Sequence, residues 1–87
     1  MRKRVVVHGY VQGVFFRDTL RRLAERHGVA GWARNNLDGT VEAVFEGDGE
    51  GVERLVSFSR DGPRGASVAR VEVFDEGPEG LSGFTIR

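Results

Sequence analysis

Residues 5–17 read VVVHGYVQGVFFR, and this stretch decides the fold. It opens with three consecutive valines, which favour a strand that is covered on at least one face. From Phe16 onward the apolar residues recur at helical spacing instead, as far as His27. The segment Gly9–Arg17 therefore predicts a turn that leads from a strand into an amphipathic helix.

The same turn is suited to bind an anion. Gly9 and Gly13 let the backbone come close to a ligand. The first turn of the following helix leaves N–H groups without intrahelical partners and lies at the positive end of the helix dipole. Arg17 adds a guanidinium whose fork of donors matches phosphate. These features predict a phosphate cradle of unspecified purpose.

The length and composition indicate one ordinary globular domain, residues 1–87. The chain is 39% hydrophobic and 30% charged and contains no cysteine, so disulfides, thiolate nucleophiles and cysteine metal sites are excluded. No apolar run approaches the ~20 residues of a membrane span or has the form of a signal peptide. We therefore expect a cytoplasmic protein without membrane contact, and at this size a monomer.

Charge is distributed unevenly along a chain whose net charge is zero. Residues 1–34 carry a net charge of +6 and residues 35–87 a net charge of −6. The predicted cradle lies in the basic part, where a positive local field would attract a small anion.

The order of predicted elements is that of a ferredoxin-like split βαβ sandwich in the α+β class. Such a fold has an antiparallel sheet of four to five strands with two helices on one face. Gly28 ends the first predicted helix, and Asp48 is a candidate N-cap for the second. The elements are a strand at 4–8, a helix at 16–27, strands at 31–35 and 40–46, a helix with Val52, Leu55, Val56 and Ser59 on one stripe, a strand at 67–74 and a last strand with Phe84 and Ile86.

This topology predicts which parts of the chain meet. The first and second strands are each antiparallel to the third, so they run in the same direction and their carboxyl ends share an edge of the sheet. The loop Gly9–Arg17 follows the first strand, and Asn35 ends the second. We expect both to open onto the same rim.

Two motifs resemble the signatures of the acylphosphatases. Residues 7–17 are similar to the first signature, hydrophobic-x-Gly-x-Val-Gln-Gly-Val-x-aromatic-Arg, and residues 31–35 with Gly39, Val41 and Gly47 are similar to the second. The Gly62-Pro63 connection and the ending Gly83–Arg87 also resemble the family. Relatives often continue with a terminal aromatic residue, which this chain lacks.

The resemblance implies hydrolysis of acyl phosphates to a carboxylate and inorganic phosphate, without a metal or another cofactor. It implies that Arg17 binds the phosphoryl group and that Asn35 positions the attacking water. The backbone N–H groups that it assigns to the phosphoryl group are those of Tyr10, Val11, Gln12, Gly13, Val14 and Phe15. The partner would be a small acyl phosphate or inorganic phosphate, and the sequence does not specify which acyl phosphate.

Several side chains have simpler interpretations. The side chain of Gln12 is expected to brace the loop, and those of Tyr10 and Phe15 to shape its mouth. His8 and His27 could titrate near neutrality, but neither is predicted to be a base or a metal ligand.

Two other classes of function compete with hydrolysis: a domain that binds an anion, which stays open, and a domain that binds nucleic acid, which is the weaker alternative. The fold also occurs as a regulatory or carrier-type domain that keeps an anion cradle. Nucleic-acid binding is not expected, because the predicted sheet lacks the stacked aromatic pair of an RNA-reading surface. Metal carriage by a Cys-x-x-Cys site is excluded by composition.

Overall fold

A computed structural model describes residues 1–87 and contains five strands and two helices. The predicted order of elements is confirmed, including the short last strand with Phe84 and Ile86. Neither helix is long and apolar enough to cross a membrane. The elements are β1 (Arg2–Tyr10), α1 (Phe16–His27), β2 (Ala30–Asn35), β3 (Val41–Glu46), α2 (Gly49–Asp61), β4 (Ser67–Glu76) and β5 (Phe84–Ile86).

The strands form one sheet in the order β4-β1-β3-β2-β5. The first four strands pair antiparallel, as predicted, whereas β5 pairs parallel to β2. The sheet is therefore mixed at this edge. Because β4 runs opposite to β1 and the chain reverses once more before β5, the last strand runs in the same direction as β1 and β2.

The core lies between the two helices and one face of the sheet. Strands β1 and β3 alternate, so that every second side chain faces the helices. The apolar stripes of the two helices cover that face, which buries these side chains away from water at a gain of roughly 1.5–3 kcal/mol for each large one. The core includes Val5, Val7, Phe16, Leu20, Ala24, Val41, Ala43, Phe45, Val52, Leu55 and Val56.

The opposite face of the sheet carries an ion-pair network. Arg2 Nε lies 2.9 Å from Glu76 Oε1, and Arg2 Nη1 lies 3.3 Å from Glu46 Oε1. Arg4 contacts Glu76 at 3.0 Å and Glu42 at 3.1 Å. Hydrogen bonds from Arg2 and Arg4 lower the pKa of Glu76 below its ordinary value. The acidic side chains on the expected polar face of β3, Glu42 and Glu46, are therefore paired with arginines of β1 and are buried.

Strand β4 is longer than the sequence pattern predicts. The predicted strand ends at Phe74, whereas β4 continues to Glu76. In the sheet, Asp75 and Glu76 pair in register with Lys3 and Arg2 of β1. Because these acidic residues find basic partners across the strand, the strand continues past its last apolar residue.

Candidate active site

The carboxyl ends of β1 and β2 lie at the same edge of the sheet. Both strands are antiparallel to β3, which lies between them. The loop after β1 leads into α1 at Phe16, and Asn35 is the last residue of β2. The predicted shared rim is therefore present.

The backbone of the loop alternates in hand. Gly13 has φ 75°, and Phe15 has φ 60° and ψ 28°. Val14 between them has a negative φ, since Phe15 is the one non-glycine residue with a positive value. Alternation of this kind is typical of the concavities in which successive backbone N–H groups bind an anion. A Cβ at Gly13 would meet nothing within 4 Å, so lack of space does not explain the glycine. Its positive φ does, since residues with a side chain rarely adopt that angle.

The start of α1 leaves its donors available. Phe15 occupies the N-cap position in the left-handed conformation, and no side chain caps the helix. The Thr19 amide and hydroxyl both donate to the Phe15 carbonyl oxygen, at 3.0 Å and 2.8 Å. The first N–H groups of the helix have no intrahelical acceptor. A ligand oxygen can therefore take the place of a cap.

A pocket of about 280 Å³ opens at this rim. It brings Arg17 and Asn35 together, with Arg17 half-buried and Asn35 exposed. The Arg17 Nη1 group also donates to the backbone oxygen of Arg87, at 3.4 Å. The pocket combines a cation, an amide and an apolar wall, and its lining residues are Val11, Gly13, Phe15, Phe16, Arg17, Asp18, Asn35 and Ile86.

Not every residue of the predicted loop lines the pocket. Tyr10, Gln12 and Val14 are absent from its lining, whereas Val11, Gly13 and Phe15 contribute to it. Tyr10 is exposed. Val14 is partly buried and packs against the core.

The side chain of Gln12 braces the loop, which is the role expected for it. Its Nε2 group donates to the backbone oxygens of Asn36 and Thr40, at 2.8 Å and 2.9 Å. These acceptors belong to the hairpin between β2 and β3, directly after Asn35. One half-buried amide therefore ties the loop to the segment that carries Asn35.

The hairpin itself is held by polar contacts. The hydroxyl and backbone N–H of Thr40 donate to Asp38 Oδ1, at 2.7 Å and 3.0 Å, and these bonds lower the pKa of Asp38. Asn36 Nδ2 donates to Glu42 at 3.3 Å. Burial acts to raise the pKa of Glu42, but hydrogen bonds from Arg34 and Asn36 outweigh it, so the pKa is lowered. The carboxylates of Asp38 and Glu42 therefore both have hydrogen-bond partners beside the pocket.

Three lining residues were not predicted as part of the site: Phe16, Asp18 and Ile86. Phe16 was predicted only as the first residue of the apolar stripe of α1. Asp18 lies in the first turn of α1, and its carboxylate contacts Arg21 at 2.6 Å and Arg22 at 3.3 Å. The spacing of three and four residues to these arginines indicates ion pairs on the helix surface and does not indicate a place in the pocket. Ile86 of β5 could not be assigned to the pocket, because the parallel pairing of β5 with β2 was not predicted.

The two histidines lie outside the pocket. His8 Nε2 is 2.6 Å from Glu72 Oε1, on the β1–β4 side of the sheet. His27 is the last residue of α1, far along the helix from its start. No group of three or more His, Cys, Asp or Glu side chains is arranged to hold a metal ion.

Comparison with known proteins identifies the family. A family model described as acylphosphatase matches residues 3–86. The acylphosphatase of Thermococcus kodakarensis is 52% identical over 86 residues, which cover 99% of this chain and 94% of that protein. The solved structure of an acylphosphatase from Coxiella burnetii matches with a TM-score of 0.94 and 36% identity, covering 99% of this chain and 90% of that one.

A second solved structure agrees. The crystal structure of acylphosphatase from Bacillus subtilis has a TM-score of 0.93 and 32% identity, and the match covers 99% of this chain and 97% of that one. Fold and pocket thus define a small α+β protein with a pocket at the sheet edge that contains Arg17 and Asn35. The chain belongs to the acylphosphatase family, and the prediction of an enzyme of this class is confirmed. Membership of this family supports the hydrolysis of acyl phosphates.

Proposed function

We propose that the protein hydrolyses acyl phosphates to a carboxylate and inorganic phosphate without a metal ion. In this proposal Arg17 and the N–H groups of the loop from Tyr10 to Phe15 bind the phosphoryl group, and Asn35 orients the attacking water. The observation that carries the proposal is that Arg17 and Asn35 line one pocket at an uncapped helix start.

The cradle would stabilise the charge that phosphoryl transfer spreads over the equatorial oxygens. Arg17 supplies a full positive charge with two parallel donors, and the alternating backbone at Gly13 and Phe15 supports a ring of N–H donors. In reactions of this class most of the catalytic effect comes from positioning and electrostatic stabilisation. A pocket that holds donors in place before the substrate arrives meets this requirement.

Asn35 would position the water without accepting its proton. An amide can hold a water through its oxygen or its N–H group, but it does not act as a base at neutral pH. In the step we propose, a bond forms between the water oxygen and phosphorus while the bond between phosphorus and the acyl oxygen breaks. The carboxylate leaves with the bonding electron pair, and the proton of the water goes to a phosphate oxygen of the substrate.

Turnover of acetyl phosphate in the presence of EDTA tests the reaction. Release of phosphate above the uncatalysed rate supports a metal-independent hydrolase, whereas phosphate binding without turnover would indicate an anion-binding domain instead.

The Asn35→Ala variant tests the role of the amide. We expect kcat to fall by about 10²-fold while competitive inhibition by inorganic phosphate persists, because only the placement of water is lost. An equal loss of turnover and phosphate binding would show that Asn35 shapes the cradle.

We further propose that the protein works as a cytoplasmic monomer. A small single domain that has its own hydrophobic core supports a monomer. Sedimentation of the active protein as a single chain tests the monomer, and cell fractionation tests the location.

A further inference from the structure

The pocket has two chemically different parts. Arg17, Asp18, Asn35 and Gly13 supply its polar part, and the remaining lining residues are apolar. Two of those apolar residues are also exposed: Phe15 is 79% exposed and Ile86 is 39% exposed. Val11 and Phe16, by contrast, are buried in the core. Phe15 and Ile86 therefore form an apolar lip beside the charged site.

Packing does not explain the aromatic ring at position 15. The residue has a left-handed backbone, which glycine and asparagine adopt readily and a bulky side chain does not. Its side chain is mostly in water, so burial in the core does not offset this strain. Residues held in such conformations concentrate at functional sites. The geometry at Phe15 points to a role at the mouth of the pocket.

The second wall of the lip is fixed by the sheet. Ile86 pairs in register with Ala33 of β2, two residues before Asn35. The Arg87 amide donates to the Ala33 carbonyl oxygen at 2.8 Å and continues this pairing. Ile86 therefore lies at the same edge of the sheet as Asn35.

The connection that leads into β5 is also anchored. The Glu46 carboxylate accepts hydrogen bonds from the backbone N–H groups of Glu79, Gly80 and Leu81, at 2.9 Å, 2.8 Å and 2.8 Å. This contact restrains the chain just before β5 begins. Ile86 is thus carried by a strand whose preceding segment is restrained.

We propose that Phe15 and Ile86 form a subsite for the acyl group, and that it favours aromatic and branched aliphatic acyl phosphates over acetyl phosphate. This inference rests on the proposed function, because it places the phosphoryl group at Arg17. With the phosphoryl group there, the acyl group extends into the rest of the pocket, where the lip is apolar.

The test compares benzoyl phosphate with acetyl phosphate in wild type and in Phe15→Asn. Asparagine tolerates the left-handed conformation, so the substitution removes the ring and keeps the loop. We expect the ratio of kcat/KM for benzoyl phosphate to that for acetyl phosphate to fall about tenfold, mainly through KM for the benzoyl substrate. Dividing the variant ratio by the wild-type ratio removes the difference in intrinsic reactivity between the substrates.

Further variants separate the subsite from a general effect. Phe15→Gly, which also relieves the backbone, should lower the ratio as Phe15→Asn does, and Ile86→Ala should lower it by about threefold. Leu37→Asn is the matched control: Leu37 is fully exposed on the neighbouring hairpin and does not line the pocket. The ratio in this variant should stay at the wild-type value.

Binding of phosphonates gives a readout that needs no turnover. Benzylphosphonate should bind wild type more tightly than methylphosphonate, and Phe15→Asn should remove this preference. An unchanged ratio in both Phe15 variants would overturn the subsite, and so would equal losses for both substrates and for inorganic phosphate. If wild type hydrolysed neither substrate, the proposed reaction would be wrong, and the phosphonate preference would still decide the subsite.

Discussion

Helices α1 and α2 begin in different ways. At α2, Asp48 has an extended backbone and its carboxylate accepts a hydrogen bond from the Gly51 N–H at 2.8 Å. At α1, Phe15 has a left-handed backbone, and no side chain accepts a hydrogen bond from the first turn. Both helices have an acidic residue in the first turn, Asp18 in α1 and Glu50 in α2. Only the start of α1 opens into the pocket that contains Arg17.

The difference separates a structural helix start from one prepared for a ligand. A side-chain cap stabilises a helix by about 1 kcal/mol, and a left-handed non-glycine residue costs roughly 1–2 kcal/mol. The start of α1 therefore lacks a stabilising contact and contains a strained residue. Phosphate oxygens can supply the missing acceptors. We infer that α1 is completed by the substrate, whereas α2 is completed by its own sequence.

Replacement of Arg17 should have the largest effect. We expect Arg17→Ala to remain folded and to lose activity by about 10³-fold or more. The reason is that the phosphoryl group in transfer loses the cation that stabilises its negative charge. Arg17→Lys should also lose most activity, because an ammonium group cannot reproduce the planar fork. The matched control is Arg26→Ala in the last turn of the same helix, which should keep most of the activity. Steady-state kinetics with acetyl phosphate measure the activity, and circular dichroism shows whether each variant is folded.

Near wild-type turnover by Arg17→Ala would remove this residue from the mechanism. It would also break the proposed contrast between the helices, because α1 would then have an uncapped start without a ligand to complete it.

Replacement of Asp48 should affect stability alone. Asp48→Ala removes the cap of α2 and should lower the free energy of unfolding by about 1 kcal/mol. Because α2 begins away from the pocket, kcat and KM should remain at their wild-type values. Urea denaturation and kinetics on the same samples check both expectations.

The stability that added phosphate confers also distinguishes the two helix starts. At a phosphate concentration of about 100 times Kd, a site that binds only the folded state adds about 2.7 kcal/mol of stability. This increment should appear in wild type and Asp48→Ala and should be largely absent in Arg17→Ala. Loss of the increment in Asp48→Ala would show that the two helix starts are coupled.

Local patterns in the sequence were sufficient to predict most of the fold. The apolar stripe from Phe16 and the stop at Gly28 predict the bounds of α1, because periodicity and a glycine C-cap act locally. The cap at Asp48 was predicted for the same reason. The direction of β5 was not predicted, because it depends on how the chain crosses from one edge of the sheet to the other.

The site was predictable in part. Arg17 was predicted from the glycine loop before the first helix, and the shared rim with Asn35 follows from the topology of three strands. The contact of Gln12 with the hairpin was expected only as a brace, since its acceptors are backbone oxygens that the sequence does not mark. Ile86 joins the pocket through a pairing between distant parts of the chain, and no local pattern indicates such a pairing.

The smallest effect is expected at the acidic residues of the two first turns. Asp18 lines the pocket, and its carboxylate is shared between Arg21 and Arg22. In Asp18→Asn the pocket loses a negative charge while both arginines remain. We expect the affinity for inorganic phosphate to rise by about two- to threefold, with a larger rise at low ionic strength because the interaction is screened by salt. Inhibition constants at two salt concentrations measure it.

Glu50→Gln is the matched control, because Glu50 occupies the first turn of α2 and pairs with Arg54 at 3.2 Å. Both substitutions remove an acid that interacts favourably with a helix dipole, so each should lower stability by a few tenths of a kcal/mol. Only Asp18→Asn should change the affinity for phosphate. Since bound phosphate can replace the lost negative charge at α1, its stability deficit should disappear when phosphate is added, whereas that of Glu50→Gln should remain. Equal responses of the two variants to phosphate would contradict the distinction between the helix starts.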